Sequence, residues 1–268
     1  MAAKSSSIPY FLIDAFAERP FEGNPAAVCL LDAPAGPEWM QLVAREMNLS
    51  ETAFVVPHAE GFGLRWFTPT IEVDLCGHAT LASAHALWSH GATAAGATLK
   101  FFTRSGELSA RRDGDWIVLD FPSTPPEETV APEALMNGLG CTPLWVGKSC
   151  FDYLCELESE AMVRSLAPDM SLLAQLATRG VIATARSKDR FDFVSRFFAP
   201  GSGIPEDPVT GSAHCTLGPY WAQRSGKTDL VGWQASQRGG LVRVNVRGDR
   251  CLLAGRAFTI ADGQLRAV

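Results

Sequence analysis

An internal repeat constrains the fold of this chain more than any other feature of its sequence. Each half carries, in the same order, an Arg-aromatic-Phe strand ending in proline, an acidic residue, and a glycine that opens an alanine-rich helix. Two copies are too few for a solenoid, so the repeat predicts two similar α/β domains related by a pseudo-twofold axis. The matching segments are Arg65-Trp-Phe-Thr-Pro69 with Arg196-Phe-Phe-Ala-Pro200, Asp74 with Asp207, and Gly77-His-Ala-Thr-Leu81 with Gly211-Ser-Ala-His-Cys215.

The boundary between the copies is predicted in the proline-rich, polar segment Phe121–Glu128. We therefore predict a first domain over residues 1–122 and a second over 123–268, with the last strand able to return to the first domain. The central helices are predicted at about 77–90 and 211–224, and Gly218-Pro219 is expected to kink or shorten the second. The first of them is apolar around nearly its whole circumference, which predicts a helix enclosed by sheet.

Composition excludes several classes of partner. The 268 residues include 23 Lys and Arg against 29 Asp and Glu, a net charge of −6, and the charges are scattered. Because no basic surface is left to neutralise phosphates, no nucleic-acid partner is expected. The longest stretch without Asp, Glu, Lys or Arg, Leu75–Leu99, is interrupted by histidines, threonines and glycines, so no membrane span is predicted.

Cysteine and histidine usage points to a cytoplasmic protein without a metal. The chain has 7 Cys, an odd number without a CxxC pair, which argues against a secreted disulfide framework. The histidines form neither an HExxH motif nor a cluster with cysteine, so no metal is assigned. No glycine-rich nucleotide motif is present, and we predict no cofactor.

The starts of the two repeat helices are the candidate binding positions. Both helices begin at a glycine between small or polar residues, in Cys76-Gly77-His78 and in Thr210-Gly211-Ser212. A helix N-terminus offers unpaired N–H groups and a partial positive charge, and glycine allows a ligand to approach the backbone. Two such ends facing each other would form a cradle for the carboxylate of a small acid.

Five motifs in a fixed order give the chain a specific resemblance. They are Asp14-Ala-Phe with Phe21-Glu-Gly-Asn-Pro-Ala-Ala-Val28, Glu46-Met-Asn-Leu-Ser-Glu-Thr-Ala-Phe-Val55, Leu64-Arg-Trp-Phe-Thr-Pro69, Cys76-Gly-His-Ala-Thr-Leu-Ala82 and Glu206-Asp-Pro-Val-Thr-Gly-Ser212. From about Asp14 to the C-terminus the chain resembles the PhzF family of phenazine-biosynthesis-type isomerases. The resemblance implies an α/β (α+β) fold of the diaminopimelate-epimerase type, with two pseudosymmetric domains, each a barrel-like, mostly antiparallel sheet around a central helix. It also implies a homodimer.

The resemblance assigns roles to residues of this chain. It implies that Glu51 is the carboxylate that moves a proton between carbon atoms, and that His78, Asp207 and Ser212 position and polarise the substrate. Such chemistry requires a carboxylate of raised pKa in a dry pocket, so that it serves as both acid and base. The further residues expected to contact the substrate are Gly77, Gly211, Asn24, Cys76 and Thr210.

Two other functions stay open at this stage. The epimerases and racemases of this fold use a thiol at the start of each central helix. Here Cys76 occupies the first of these positions, but Thr210 occupies the second. This pair resembles the trans-3-hydroxyproline dehydratases, which implies a Cys76-dependent amino-acid dehydratase or epimerase as the alternative. A non-catalytic metabolite-binding or interaction module is the other, although an acid/base set as complete as this one argues against it.

Overall fold

The computed structural model describes residues 7–94 and 96–266 and divides them into two compact units. The first unit contains the described residues up to Leu119 and those from Gly255 onward, and the second contains Asp120–Ala254. Within the described residues, no helix combines the length and the apolarity needed to cross a bilayer.

The strands that begin in the first unit are β1 (Ser7–Ala15), β2 (Asn24–Leu30), β3 (Glu51–His58), β4 (Gly61–Phe67), β5 (Glu72–Val73), β6 (Leu99–Thr103), β7 (Gly106–Asp113) and β8 (Trp116–Pro122). Those that begin in the second are β9 (Glu127–Glu128), β10 (Trp145–Lys148), β11 (Asp152–Glu156), β12 (Gly180–Arg186), β13 (Phe193–Ala199), β14 (Ile204–Asp207), β15 (Asp229–Gln234), β16 (Gly240–Arg247) and β17 (Arg250–Gly255). The chain then returns to the first unit as β18 (Ala257–Arg266).

The helices of the first unit are α1 (Pro37–Met47) and α2 (Gly77–Ser89). Those of the second unit are α3 (Glu133–Leu139), α4 (Glu160–Ser165), α5 (Met170–Leu173) and α6 (Gly211–Ser225), with a 3-10 turn at Pro200–Ser202. The two central helices thus begin at Gly77 and Gly211, the glycines at which the repeat predicts them to begin.

Strand pairing in the two units follows the same scheme. In the first unit β2 and β3 are parallel, β3 and β4 antiparallel, β4 and β5 antiparallel, β4 and β6 parallel, and β6 and β7 antiparallel. In the second unit β11 and β12, β12 and β13, β13 and β14, β13 and β15, and β15 and β16 repeat that series. The predicted fold class, two similar and mostly antiparallel sheets each with a central helix, is confirmed.

One ion pair is repeated in both units. Arg65 on β4 donates from Nε and Nη2 to the two carboxylate oxygens of Glu72 at 2.7 and 2.8 Å. Arg196 on β13 makes the same two-pronged contact with Glu206, again at 2.7 and 2.8 Å. Planar guanidinium and carboxylate groups match in this geometry, which fixes the short β5 and β14 strands against their neighbours.

The register of these strands corrects one alignment made from the sequence. Trp66 on β4 pairs with Val73, whereas Phe197, its counterpart on β13, pairs with Asp207. Asp207 therefore corresponds to Val73, and the predicted equivalence of Asp207 with Asp74 is wrong. The repeated Arg–Glu pairs set the register one residue away from an alignment based on the two aspartates.

Helix α2 is buried along almost its entire length, as its composition predicts. It packs against β1, β2, β3 and β18 of the first unit. Its buried hydroxyls are satisfied within the helix, because Thr80 Oγ1 donates to Cys76 O at 2.5 Å and Ser83 Oγ donates to Ala79 O at 2.7 Å. Such back-bonding allows polar residues to occupy a fully enclosed helix.

Helix α6 continues past its proline, so Gly218-Pro219 does not shorten it, and the kink that the sequence offers as the other outcome stays a prediction. Proline lacks the N–H that would reach the carbonyl oxygen of Cys215. That oxygen accepts a hydrogen bond from the backbone N–H of Thr124 at 3.0 Å instead. The adjacent Gly218 allows close approach to β16, since a Cβ there would lie 2.6 Å from Val244 Cγ1.

The last strand, β18, belongs to the first unit because it pairs antiparallel with β1 from Ser7–Arg266 to Ala15–Ala257. The second compact unit therefore ends at Ala254, before this strand. The predicted second domain extends to residue 268, with a last strand able to return to the first domain. The division of the chain into domains over residues 1–122 and 123–268 stays a prediction.

Candidate active site

In the first unit, the start of α2 meets the starts of two strands. Cys76 occupies the N-cap of α2 with an extended backbone (φ −143, ψ 116), and its side chain does not cap the helix. Glu51 is the first residue of β3 and pairs with Ala26 of β2, two residues after Asn24. The parallel pairing of β2 and β3 thus brings Asn24 and Glu51 to the same end of the sheet as His78.

These side chains form a buried cluster around the imidazole of His78. Its Nε2 lies 3.3 Å from Glu51 Oε2, and the two side chains are 4% and 13% exposed. On the other side of the ring, Asn24 Nδ2 lies 3.2 Å from Nδ1, and Cys76 Sγ lies 3.5 Å from the same nitrogen. All four residues are among those predicted from the sequence.

The imidazole of His78 is neutral at ordinary pH. Burial lowers its pKa from 6.5 to about 3, because the charged form would lose its hydration. Since the amide nitrogen of Asn24 donates to Nδ1, the ring proton resides on Nε2, next to Glu51. Nε2 and Oε2 lie 3.3 Å apart, but they do not form a hydrogen bond with each other.

The same cluster offers ligand atoms of Glu51, Cys76 and His78 within 4.8 Å of one another, so we considered a metal ion there. The thiol lies against Nδ1 and the carboxylate against Nε2, the opposite nitrogen of the ring. A metal ion binds one ring nitrogen and gathers its other ligands around it. The arrangement therefore fits a metal poorly without rearrangement, and the expected lack of a metal stays a prediction.

In the second unit, the start of α6 is held by a hydrogen-bonded group of buried side chains. Thr210, the N-cap, donates from Oγ1 to Asp207 Oδ2 at 2.5 Å. Gln234 of β15 accepts from the Thr210 N–H at 2.8 Å and donates to the Asp207 carbonyl oxygen at 2.7 Å. Gln234 is fully buried, and sequence analysis missed it. The network fixes the orientation of the Asp207 carboxylate.

Ser212, in the first turn of α6, is held by an arginine that sequence analysis also missed. Arg179 donates from Nη1 to Ser212 Oγ at 2.9 Å and from Nε to Asp152 Oδ1 at 2.9 Å, with a second contact from Nη2 to the same carboxylate. Burial raises the pKa of Asp152, and the hydrogen bond from Arg179 opposes that shift. Arg179 reaches Asp152 because the register of β11 and β12 pairs Asp152 with Gly180, the residue after Arg179. The sequence does not show that register.

The nine predicted residues thus lie in two clusters, each within its own unit. Asn24, Glu51, Cys76, Gly77 and His78 surround the start of α2, and Asp207, Thr210, Gly211 and Ser212 surround the start of α6. The two helices have no side-chain cap, so their first N–H groups are not taken up by an N-cap side chain. That both helices serve a single substrate stays a prediction.

These features define a two-unit α/β protein in which a Glu–His pair lies beside the uncapped start of a central helix. The family model for phenazine biosynthesis-like proteins, PhzC-PhzF, matches residues 13–263. The chain belongs to the PhzF family, and it is an isomerase.

Individual relatives agree with this assignment. An uncharacterized isomerase of Halalkalibacterium halodurans is 51% identical over 259 residues, which is 96% of this chain and 98% of that protein. The crystal structure of a PhzF family phenazine biosynthesis protein of Enterococcus faecalis matches with a TM-score of 0.92 at 42% identity, over 98% of this chain and 100% of that one. A hydroxyproline epimerase of Agrobacterium vitis, with a TM-score of 0.65 at 12% identity over 99% and 94% of the two chains, shares the fold alone.

Proposed function

We propose that this isomerase moves a proton between two carbon atoms of a small carboxylic acid, with Glu51 as the acid/base. The observation that supports the proposal is the contact of Glu51 Oε2 with Nε2 of a neutral, buried His78 at 3.3 Å. A charged histidine at that distance would hold the carboxylate ionised and oppose its protonation. A neutral one leaves Glu51 able to take up a proton and to return it.

The proposed reaction needs no change in oxidation state and no second reactant. The Glu51 carboxylate removes a proton from carbon, and the electron pair of the broken C–H bond passes into the neighbouring unsaturated system. The carboxylic acid so formed then donates its proton to a different carbon of the same molecule, which regenerates the carboxylate. The Nε2–H of His78 is available to donate to the substrate while negative charge develops there.

The start of α2 is the proposed site for the carboxylate of the substrate. Gly77 and His78 lie in the first turn, where backbone N–H groups point out of the helix and carry a partial positive charge. Because the Cys76 side chain does not cap the helix, those donors are not taken up by an N-cap side chain. Asp207, Thr210, Gly211 and Ser212 are proposed to assist binding from the start of α6.

Deuterium exchange tests the proposal. The protein is incubated in D₂O with a panel of small cyclic and amino carboxylic acids, and loss of C–H signals is followed by NMR. Exchange that disappears in Glu51→Gln but persists in Cys76→Ser supports the proposed acid/base. Normal exchange in Glu51→Gln would overturn it.

One observation favours a second candidate, in which Cys76 is the base of an amino-acid dehydratase or epimerase. Cys76 is the N-cap of α2, where the partial positive charge of the helix start favours a thiolate, and its Sγ lies 3.5 Å from His78 Nδ1. This candidate predicts iodoacetamide inactivation that substrate prevents, and loss of exchange in Cys76→Ser alone. Full activity of that variant would exclude it.

The homodimeric state and cytoplasmic location expected from the sequence are likewise proposals. Size-exclusion chromatography with light scattering tests the first, and a single monomer mass at working concentration would contradict it. Cell fractionation tests the second.

A further inference from the structure

A cavity of about 450 Å³ lies in the first unit, and none of its lining residues belongs to the candidate active site. Its walls come from α2, from the end of β7, the turn that follows and the start of β8, and from Arg256 with the start of β18. The lining side chains that matter here are His85, Arg112, Asp115, Ile117, Arg256 and Phe258.

Two arginines line this cavity, and each lies over a tryptophan. The guanidinium carbon of Arg112 is 4.9 Å from the ring centre of Trp88, and that of Arg256 is 4.7 Å from the ring centre of Trp116. Stacking on an aromatic face orients a guanidinium group without using its N–H donors. Both arginines are therefore held in place with donors left for another partner.

Neither guanidinium forms an ion pair with a carboxylate in the part of the chain that the structure describes. The neighbouring Arg111 differs, since its Nη1 lies 3.9 Å from Asp113 Oδ2. Arg256 also has an Nε that is shielded from water and has no hydrogen-bond partner among the described residues. A buried donor without an acceptor is costly, and an acceptor in the cavity would remove that cost.

The balance of charge in the cavity favours an anion. His85 is neutral, because burial and the nearby Arg112 lower its pKa to about 4, and its Nε2 lies 3.0 Å from Thr259 Oγ1. Arg112 and Asp115 are exposed and Arg256 is half-buried. The lining thus carries two guanidinium groups and one carboxylate, a net positive charge. Ile117 and Phe258 provide an apolar wall beside them.

We propose that this cavity binds a small molecule through an oxyanion group, a carboxylate or a phosphate, held between Arg112 and Arg256. A planar guanidinium group binds two oxygens of such a group at once, and the fork of Nε and Nη2 on Arg256 would satisfy its unpartnered donor. The apolar part of the ligand would lie against Ile117 and Phe258. This site is independent of the proposed acid/base, since none of its residues belongs to the Glu51 cluster.

Titration calorimetry tests the proposal with the whole protein in chloride buffer at constant ionic strength. The probes are inorganic phosphate and succinate, which separate the two oxyanion chemistries. Loss of one charged hydrogen-bonding partner is expected to weaken binding by about tenfold or more. We expect that loss in Arg112→Gln and in Arg256→Gln, and unchanged binding in Arg111→Gln, the matched control.

Two further measurements keep the test decisive. Arg256→Lys keeps the positive charge but lacks the planar pair of N–H donors, so it should bind the probes more weakly than the wild type. This variant tests the arginine even if Arg256→Gln fails to fold. Deuterium exchange by Arg112→Gln should equal that of the wild type, because the arginine lies outside the proposed reaction. No saturable binding of either probe in the millimolar range, or equal binding by wild type, Arg112→Gln and Arg256→Lys, would overturn the proposal.

Discussion

Asn24 Nδ2 lies 3.2 Å from His78 Nδ1, and this contact decides which nitrogen of the ring carries the proton. An amide nitrogen donates, so Nδ1 accepts and the proton resides on Nε2, beside Glu51. Asn24 therefore positions the imidazole without needing to touch a substrate.

Replacement of Asn24 by aspartate should reverse the tautomer of His78. A carboxylate beside Nδ1 accepts a hydrogen bond, so the ring proton would move to that side and Nε2 would lose its N–H. We expect activity to fall by about 10–100-fold, the loss typical of residues that orient metal-binding histidines. Nitrogen NMR shifts of the ring report the tautomer, and an unchanged tautomer with full activity would contradict this role.

Glu51→Gln should abolish proton transfer without unfolding the protein. Removal of a general acid/base lowers rates by about 10²–10⁴-fold. The glutamine is nearly isosteric, so circular dichroism and the melting temperature should stay close to those of the wild type. Glu46→Gln, at an exposed position on α1, is the control and should be fully active.

Buried neutral histidines should make the protein less stable as the pH falls. Burial lowers the pKa of His78 to about 3 and that of His214 to about 4, from 6.5. Between pH 6.5 and those values the unfolded chain binds protons that the folded protein excludes, so the free energy of unfolding decreases with decreasing pH. Each histidine contributes up to about 1.4 kcal/mol per pH unit.

Urea titrations of the wild type and of His214→Gln between pH 7 and pH 4.5 measure this contribution. The variant lacks one titrating group, so its stability should fall less steeply with decreasing pH than that of the wild type. Parallel slopes for the two proteins would show that His214 does not resist protonation in the fold.

Arg179→Gln should destabilise the second unit, because it leaves the fully buried carboxylate of Asp152 without its partner. Removing one member of a buried ion pair costs about 3–5 kcal/mol. The double variant Arg179→Gln with Asp152→Asn should recover much of that loss, and Ser212→Ala should cost about 1 kcal/mol. Chemical denaturation of the three proteins separates these effects. An Arg179→Gln protein as stable as the wild type would argue against a stabilising Arg179–Asp152 ion pair.

The two copies of the repeated ion pair should differ in strength. The Arg196 side chain is 13% exposed and also donates to the Leu166 carbonyl oxygen at 2.7 Å, whereas that of Arg65 is 35% exposed. Arg196→Gln should therefore cost about 3 kcal/mol and Arg65→Gln about 1 kcal/mol or less. Equal losses of unfolding free energy would mean that burial does not set the difference.

Sequence analysis identified the features that depend on local pattern. Gly77 and Gly211 mark the starts of the two central helices because glycine before an alanine-rich run is a local signal. The family resemblance supplied Glu51 and His78, which the structure brings together although they lie on different elements.

Features that depend on strand register could not be predicted from the sequence. Gln234 and Arg179 reach the start of α6 only because β15 and β12 take particular neighbours in the sheet. The alignment of Asp74 with Asp207 failed for the same reason, since the Arg–Glu pairs set the register. The carbonyl oxygen of Cys215, to which Pro219 cannot donate, accepts from Thr124, a residue distant in sequence.

The pairing of β1 with β18 has a consequence for biosynthesis. On the ribosome, the outer edge of β1 waits for β18 until the residues between Ala15 and Ala257 have been made, on the order of tens of seconds at usual translation rates. The second unit is continuous in sequence and closes during that interval, while an unpaired strand edge is open to other chains. Chaperones should accordingly bind the nascent chain mainly at β1. The yield of folded protein in the cell should depend on how quickly β18 is synthesised.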